Sequence, residues 1–182
     1  MRRQRPMPNE PARAALVRGV CAGLVAGVPQ VVLTQLEAWL LPTTARHSAD
    51  IGPRFVQRLD NALDTDLERE HHWLIAGVFH FAYAAWWGAC YALLQRWRPA
   101  QPHVGGPLLA ALIYLLAFSP WGAATQTRTE QPVERRPARE TLLHWTAALS
   151  FSLCLAYLYD RLHTDQATYV QRLSVRVEGV SR

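Results

Sequence analysis

Apolar residues in this chain gather into four long blocks, roughly 14–41, 73–95, 104–124 and 141–159, set apart by charged or proline-containing stretches. Each block approaches or exceeds the ~20 residues that a helix rising about 1.5 Å per residue needs to cross ~30 Å of hydrocarbon. No charge falls between Trp73 and Gln95, and none between Val104 and Thr127. A surface helix carries polar residues on every turn opposite its apolar stripe, so the pattern predicts membrane spans rather than a soluble bundle. The expected fold is all-α: an integral membrane four-helix bundle over 14–160, between tails at 1–13 and 161–182. In the first loop, Phe55, Val56, Leu59 and Leu63 recur at helical intervals after Pro53. They predict a short amphipathic surface helix, either a lid over the bundle mouth or a passive surface element.

Within the first span Gly19, Gly23 and Gly27 repeat every four residues, a face without side chains that lets another backbone approach closely. It serves the bundle's own interior or a homo-oligomer contact. Pro29 is expected to bend that helix, and Gln30, Thr34 and Glu37 form a polar stripe beyond it. In the second span Gly77, His80, Ala84, Gly88 and Tyr91 share one side and read as an inward face. Trp86 and Trp87 lie deeper than the interfacial belt, so one of them is expected to fill the interior. The third span should break at Phe118-Ser119-Pro120-Trp121-Gly122. The fourth opens with Glu140 and His144 one turn apart.

Charge adds orientation. All nineteen basic residues are arginine, and they sit in tails and loops flanking the spans, which speaks for topology rather than nucleic-acid binding. With both termini on one side, that side holds Arg2, Arg3, Arg5, Arg13, Arg18, Arg96, Arg98, Arg161, Arg172, Arg176 and Arg182, and the other holds the remaining eight. This bias predicts cytoplasmic termini. Cys21, Cys90 and Cys154 all lie inside spans, so neither a disulfide framework nor a metal motif follows. The first apolar block is too long for a secretory signal and has no small-residue cleavage site. No nucleophile elbow or zinc-hydrolase spacing occurs, so the chain is not expected to be an enzyme.

Odd spans running outward and even spans running inward bring Glu37, His72, His80, Gln126, Glu140 and His144 to the outer half of the bundle. Ionisable groups at membrane depth are costly and tend to be paired and functional. One reading is structural, with Glu37 and Glu140 at the water interface and the histidines bonded to them. The other is a pocket of Glu37, His80, Tyr91, Glu140 and His144 that binds or conducts protons, cations or a small solute. No cofactor is expected. Haem b between His80 and His144 is an alternative that a ~10 Å difference in depth along the helices disfavours, and a metal at His72, Glu140 and His144 is another. A non-catalytic accessory or scaffold subunit, packing through the GxxxGxxxG face, is the competing class. The lipid bilayer is the one partner that all these readings share.

Taken together, Gly23-Leu24-Val25-Ala26-Gly27-Val28 with Glu37, His80 with Tyr91 eleven residues on, the Phe118–Gly122 break, Glu140 with His144, and the closing Asp160-Arg161 resemble the YagU-like family of bacterial inner-membrane proteins. The resemblance covers roughly residues 19–161. It implies four spans and an inner-membrane location, and the family has no assigned biochemical activity. Leu115 stands where those relatives carry a histidine, and Pro42-Thr43-Thr44-Ala45-Arg46 replaces their compact Pro-Pro-Arg.

Overall fold

The computed structural model describes residues 11–40, 51–65, 67–130 and 135–180; the side chains of Glu37 and of the residues after Thr164 lie outside the described set. Its elements are α1 (Ala12–Leu40), α2 (Ile51–Leu63), α3 (Arg69–Trp97), α4 (Pro102–Phe118), α5 (Ala123–Gln126) and α6 (Ala138–Val180). Four segments are long and apolar enough to cross a membrane: Ala12–Leu36, Glu70–Trp97, Pro102–Gln126 and Ala138–Thr164. The chain is an all-α, multi-pass membrane protein.

The bundle is built from pairs. α1 packs along α3, α6 packs along α4, and α1 and α6 join the two pairs, while α3 and α6 barely touch. The core that results holds Ala22 and Ala26 of α1, Ala84, Trp87 and Tyr91 of α3, Leu109 and Ile113 of α4, and Phe151, Leu155 and Tyr159 of α6. Small residues set the two close approaches. A Cβ on Gly19 would lie 2.7 Å from the Cβ of Ala92, and one on Gly23 would lie 3.1 Å from the Cα of Gly88. A Cβ on Gly106 of α4 would lie 3.2 Å from the Cα of Leu153. The Gly19–Gly23–Gly27 face is therefore occupied by α3 within one chain. Trp87 fills the interior and Trp86 faces outward, 6% and 66% exposed.

Gly77 departs from expectation. Nothing lies within 4 Å of where its Cβ would stand, so it is not a packing glycine, although it shares a helical face with Gly88. Toward that end of α3 the separation from α1 is filled by side chains: the Phe81 ring reaches to 3.4 Å from a Cβ on Gly27, and His80 bonds to the Gly27 carbonyl. α1 is a single helix through Pro29. α4 does break as its sequence demands. Ser119 is extended ahead of Pro120, as residues preceding proline prefer, and the chain then turns so tightly at Gly122 that a Cβ there would lie 2.6 Å from the Ala117 carbonyl.

α6 runs on as helix from Ala138 to Val180, past the end of the fourth span and through the region expected as a tail. Residues 1–10 of the N-terminal tail lie outside the described residues.

Helix α2 is where its periodicity places it, but a different stripe is buried. Gly52, Val56 and Asp60 face α3, at i, i+4 and i+8. Val56 is 3% exposed, a Cβ on Gly52 would meet the Ala76 methyl at 3.3 Å, and Phe55 lies against Phe79 with centroids 5.0 Å apart. Leu59 and Leu63 remain exposed. Asp64 ends α2 in the left-handed conformation, φ 54°, an arrangement that aspartate tolerates better than most residues.

Candidate functional site

The residues expected to form one pocket are distributed over three places. His80, in the middle of the bundle, donates Nε2–H to the Gly27 carbonyl of α1 at 3.3 Å. Tyr91 lies eleven residues on, about 16 Å along α3, and belongs to the end where the chain termini emerge. Its hydroxyl accepts a hydrogen bond from Gln95 Nε2 at 2.6 Å, and its ring meets Tyr159 edge-on at 5.6 Å. The Gln95 amide also ties to Ala100 in both directions, closing the turn into α4. Glu140 and His144 lie at the opposite end, the one that carries α2. Among the described residues no hydrogen bond joins His80, Tyr91 and His144. Glu37 is on α1, with its side chain outside the described set.

His144 is 6% exposed. Its Nδ1–H donates to the Glu140 backbone carbonyl at 2.6 Å, so the link between these two residues runs through the main chain rather than the carboxylate. That bond fixes the proton on Nδ1 and leaves Nε2 as an acceptor, and Nε2 is buried without a hydrogen-bond partner among the described residues. The edge of Phe118 stands 4.7 Å from the imidazole, and the guanidinium of Arg136 lies 5.1 Å from the same phenyl ring.

Arg136 begins a polar network that the sequence pattern did not single out. Its side chain is 1% exposed and pairs with Glu130 at 3.5 Å; Glu130, 8% exposed, also meets Arg54 of α2 at 3.8 Å. Arg58, one turn further along α2, donates to the Thr127 carbonyl at 3.3 Å. The segment that carries these partners holds itself in shape. The Glu130 N–H bonds the Ala124 carbonyl at 3.0 Å, Thr127 Oγ1 bonds the Ala123 carbonyl at 2.8 Å, and Gln126 Nε2 bonds the Pro120 carbonyl at 3.1 Å. Within it the hydroxyls of Ser119 and Thr125 are buried without protein partners. α2 thus spans the mouth from α3 to the α4–α6 connection.

Its other anchor is Asp60. Thr65 Oγ1 donates to Oδ1 at 2.5 Å, the Leu67 N–H reaches both oxygens at 3.1 and 3.3 Å, and His72 Nε2 meets Oδ2 at 2.9 Å. The Thr65 hydrogen bond, followed by that from His72, holds the carboxyl below its ordinary value of 3.8, against an opposing effect of burial. A carboxylate with a lowered folded-state pKa stabilises the docked helix above its ordinary value, and that contribution disappears as pH falls through the lowered one. Protection of the α2 amides from hydrogen exchange, measured relative to the intrinsic rate at each pH, is therefore expected to be constant around neutral pH and to fall below pH 3.8. Asp60→Asn should show the faster exchange at every pH. The expectation fails if wild type and Asp60→Asn exchange alike at neutral pH.

Among the described residues no group of three His, Cys, Asp or Glu side chains could hold a metal ion. His80 directs Nε2 at the Gly27 carbonyl, away from any contact with His144 among the described residues. Compared with family models, with curated proteins and with solved structures, the chain matches none.

Proposed function

We propose that this multi-pass membrane protein binds a small organic acid at the polar cluster beneath α2. The observation that carries the reading is the buried His144 Nε2, an acceptor without a partner among the described residues, at the end of the bundle where Arg54 and Arg136 both meet the Glu130 carboxylate. Arginine suits carboxylates because its planar fork matches their two oxygens. A hydroxyl on the solute would satisfy Nε2, and the Ser119 and Thr125 hydroxyls offer further polar contacts. This chemistry favours a hydroxycarboxylate over a metal cation, which the two arginines repel. The accessory-subunit reading draws less support, because its contact face of glycines already meets α3. The reading is compatible with the four-span, inner-membrane setting that the YagU-like resemblance implies.

Proteoliposomes carrying the full chain should take up radiolabelled glycolate or lactate saturably, and in preference to acetate. His144→Ala removes the hydrogen bond that the solute hydroxyl donates to neutral Nε2, about 0.5–1.5 kcal/mol, and should weaken apparent affinity roughly twofold to tenfold. Uptake equal to that of protein-free vesicles would sink the proposal.

A further inference from the structure

At the opposite end of the bundle, α1 and α6 border an open groove of roughly 540 Å³ lined by Arg13, Ala14, Val17, Arg18, Cys21 and Leu162 among others. Its walls come from two neighbouring rows of α1, Arg13–Val17 and Ala14–Arg18–Cys21, with Leu162 of α6 across from them. The apolar part faces outward: Val17 is 57% and Leu162 40% exposed, at the start of the first span, where hydrocarbon gives way to headgroups. Both basic residues sit at that level. Arg13 is exposed. Arg18 is buried, its Nη1 donating to His163 Nδ1 at 2.5 Å and its guanidinium 5.2 Å from the centre of the Tyr159 ring. Those contacts hold Arg18 in place along α6, so its charge is positioned before anything binds.

We propose that this groove is a binding site for an anionic phospholipid, with one acyl chain along Ala14, Val17, Cys21 and Leu162 and the phosphate against Arg13, in the field of Arg18. Charge complementarity selects this occupant. Basic clefts between spans at the membrane surface attract anionic headgroups, and arginine meets phosphate through paired N–H donors. The chain's own N-terminal segment is a poor occupant, since residues 1–10 carry Arg2, Arg3 and Arg5 against Glu10 alone and are repelled by the same arginines. A two-fold contact with a second copy would set these arginines against each other. The inference is independent of the polar cluster at the α2 end.

Native mass spectrometry of the detergent-purified full chain, offered equal amounts of phosphatidylglycerol and phosphatidylcholine, tests it. The anionic lipid should be retained about fivefold over the neutral one, the ratio that one exposed arginine at ordinary headgroup strength supplies. Arg13→Gln should remove most of that preference on the same basis. Val17→Trp, which fills the groove from an exposed position without touching a charge, should abolish retention of both lipids. Because Arg18 also ties α1 to α6, these two variants keep the test independent of folding. Equal retention of the two lipids, or a preference that survives both substitutions, overturns the proposal. So does displacement of the lipid by inorganic phosphate alone, or lipid binding that appears only once residues 2–10 are deleted.

Discussion

Gly88→Ala is expected to separate α1 from α3 and cost about 3 kcal/mol of stability, the upper part of the usual range for overpacking. The added methyl would point at the Gly19 carbonyl oxygen, and it would lie 2.8 Å from the Gly19 carbonyl carbon and 3.1 Å from the Gly23 Cα. All of these are backbone atoms, so no side chain can rotate out of the way and the helices themselves must move. The same seam is tight from the other side, where a Cβ on Gly23 would lie 3.1 Å from the Ala84 carbonyl carbon. Without a hydrophobic force between helices in lipid, association rests on such contact, and the loss extends to the core beside it, including Trp87. Intrinsic tryptophan fluorescence during unfolding in mixed micelles is the measurement. Gly77→Ala is the control: the new methyl meets nothing within 4 Å, and alanine favours helix over glycine by about 1 kcal/mol, so stability should be unchanged or raised. Equal unfolding of Gly88→Ala and wild type would remove the seam from the account of this fold.

The contrast between these two glycines marks what the sequence makes legible. Charge-free runs reveal the spans because hydrocarbon excludes charge, and Pro120 with Gly122 reveals the break in the third because proline and glycine act locally. A helical wheel puts Gly77 and Gly88 on one face correctly. It carries no information about where a neighbouring helix crosses that face, and α1 lies close only near Ala84, Gly88 and Ala92. His80 and Tyr91 are similarly aligned on the wheel and yet stand about 16 Å apart in depth. The expected pocket divides for this reason. Its outermost part, around Glu140 and His144, gains partners that no periodicity signals: Arg54, Glu130 and Arg136 belong to loops or to a surface helix and meet only through tertiary contact. Asp60 is hidden in the same way. It stands on α2 one turn beyond Val56, and only its meeting with His72 distinguishes it from an ordinary solvated aspartate. A charged residue at the i+8 position of a buried stripe was the available signal.

Removing the Glu130 carboxylate should be the most damaging single change at the α2 end. Glu130→Gln leaves Arg136, whose side chain is 1% exposed, without the acid that faces it at 3.5 Å. Breaking a buried ion pair from one side typically costs 3–5 kcal/mol, because the remaining charge is then desolvated and uncompensated. Arg136 keeps its place over Phe118, which puts the expectation near the lower end, about 3 kcal/mol. The contribution of Arg54 is smaller, since its side chain is 32% exposed and solvent screens such a pair. Two readouts separate these contributions. Global unfolding reports the Arg136 loss, and the rate of tryptic cleavage at Arg54 and Arg58 reports release of α2 from the α4–α6 connection. The double variant Glu130→Gln with Arg136→Leu should recover most of the lost stability, because the buried guanidinium that faced Glu130 is gone as well, while cleavage in α2 stays fast because the Arg54–Glu130 contact is still missing. If the double variant is no more stable than Glu130→Gln alone, the carboxylate stabilises the mouth through contacts other than Arg136, and the charge trio does not act as one unit.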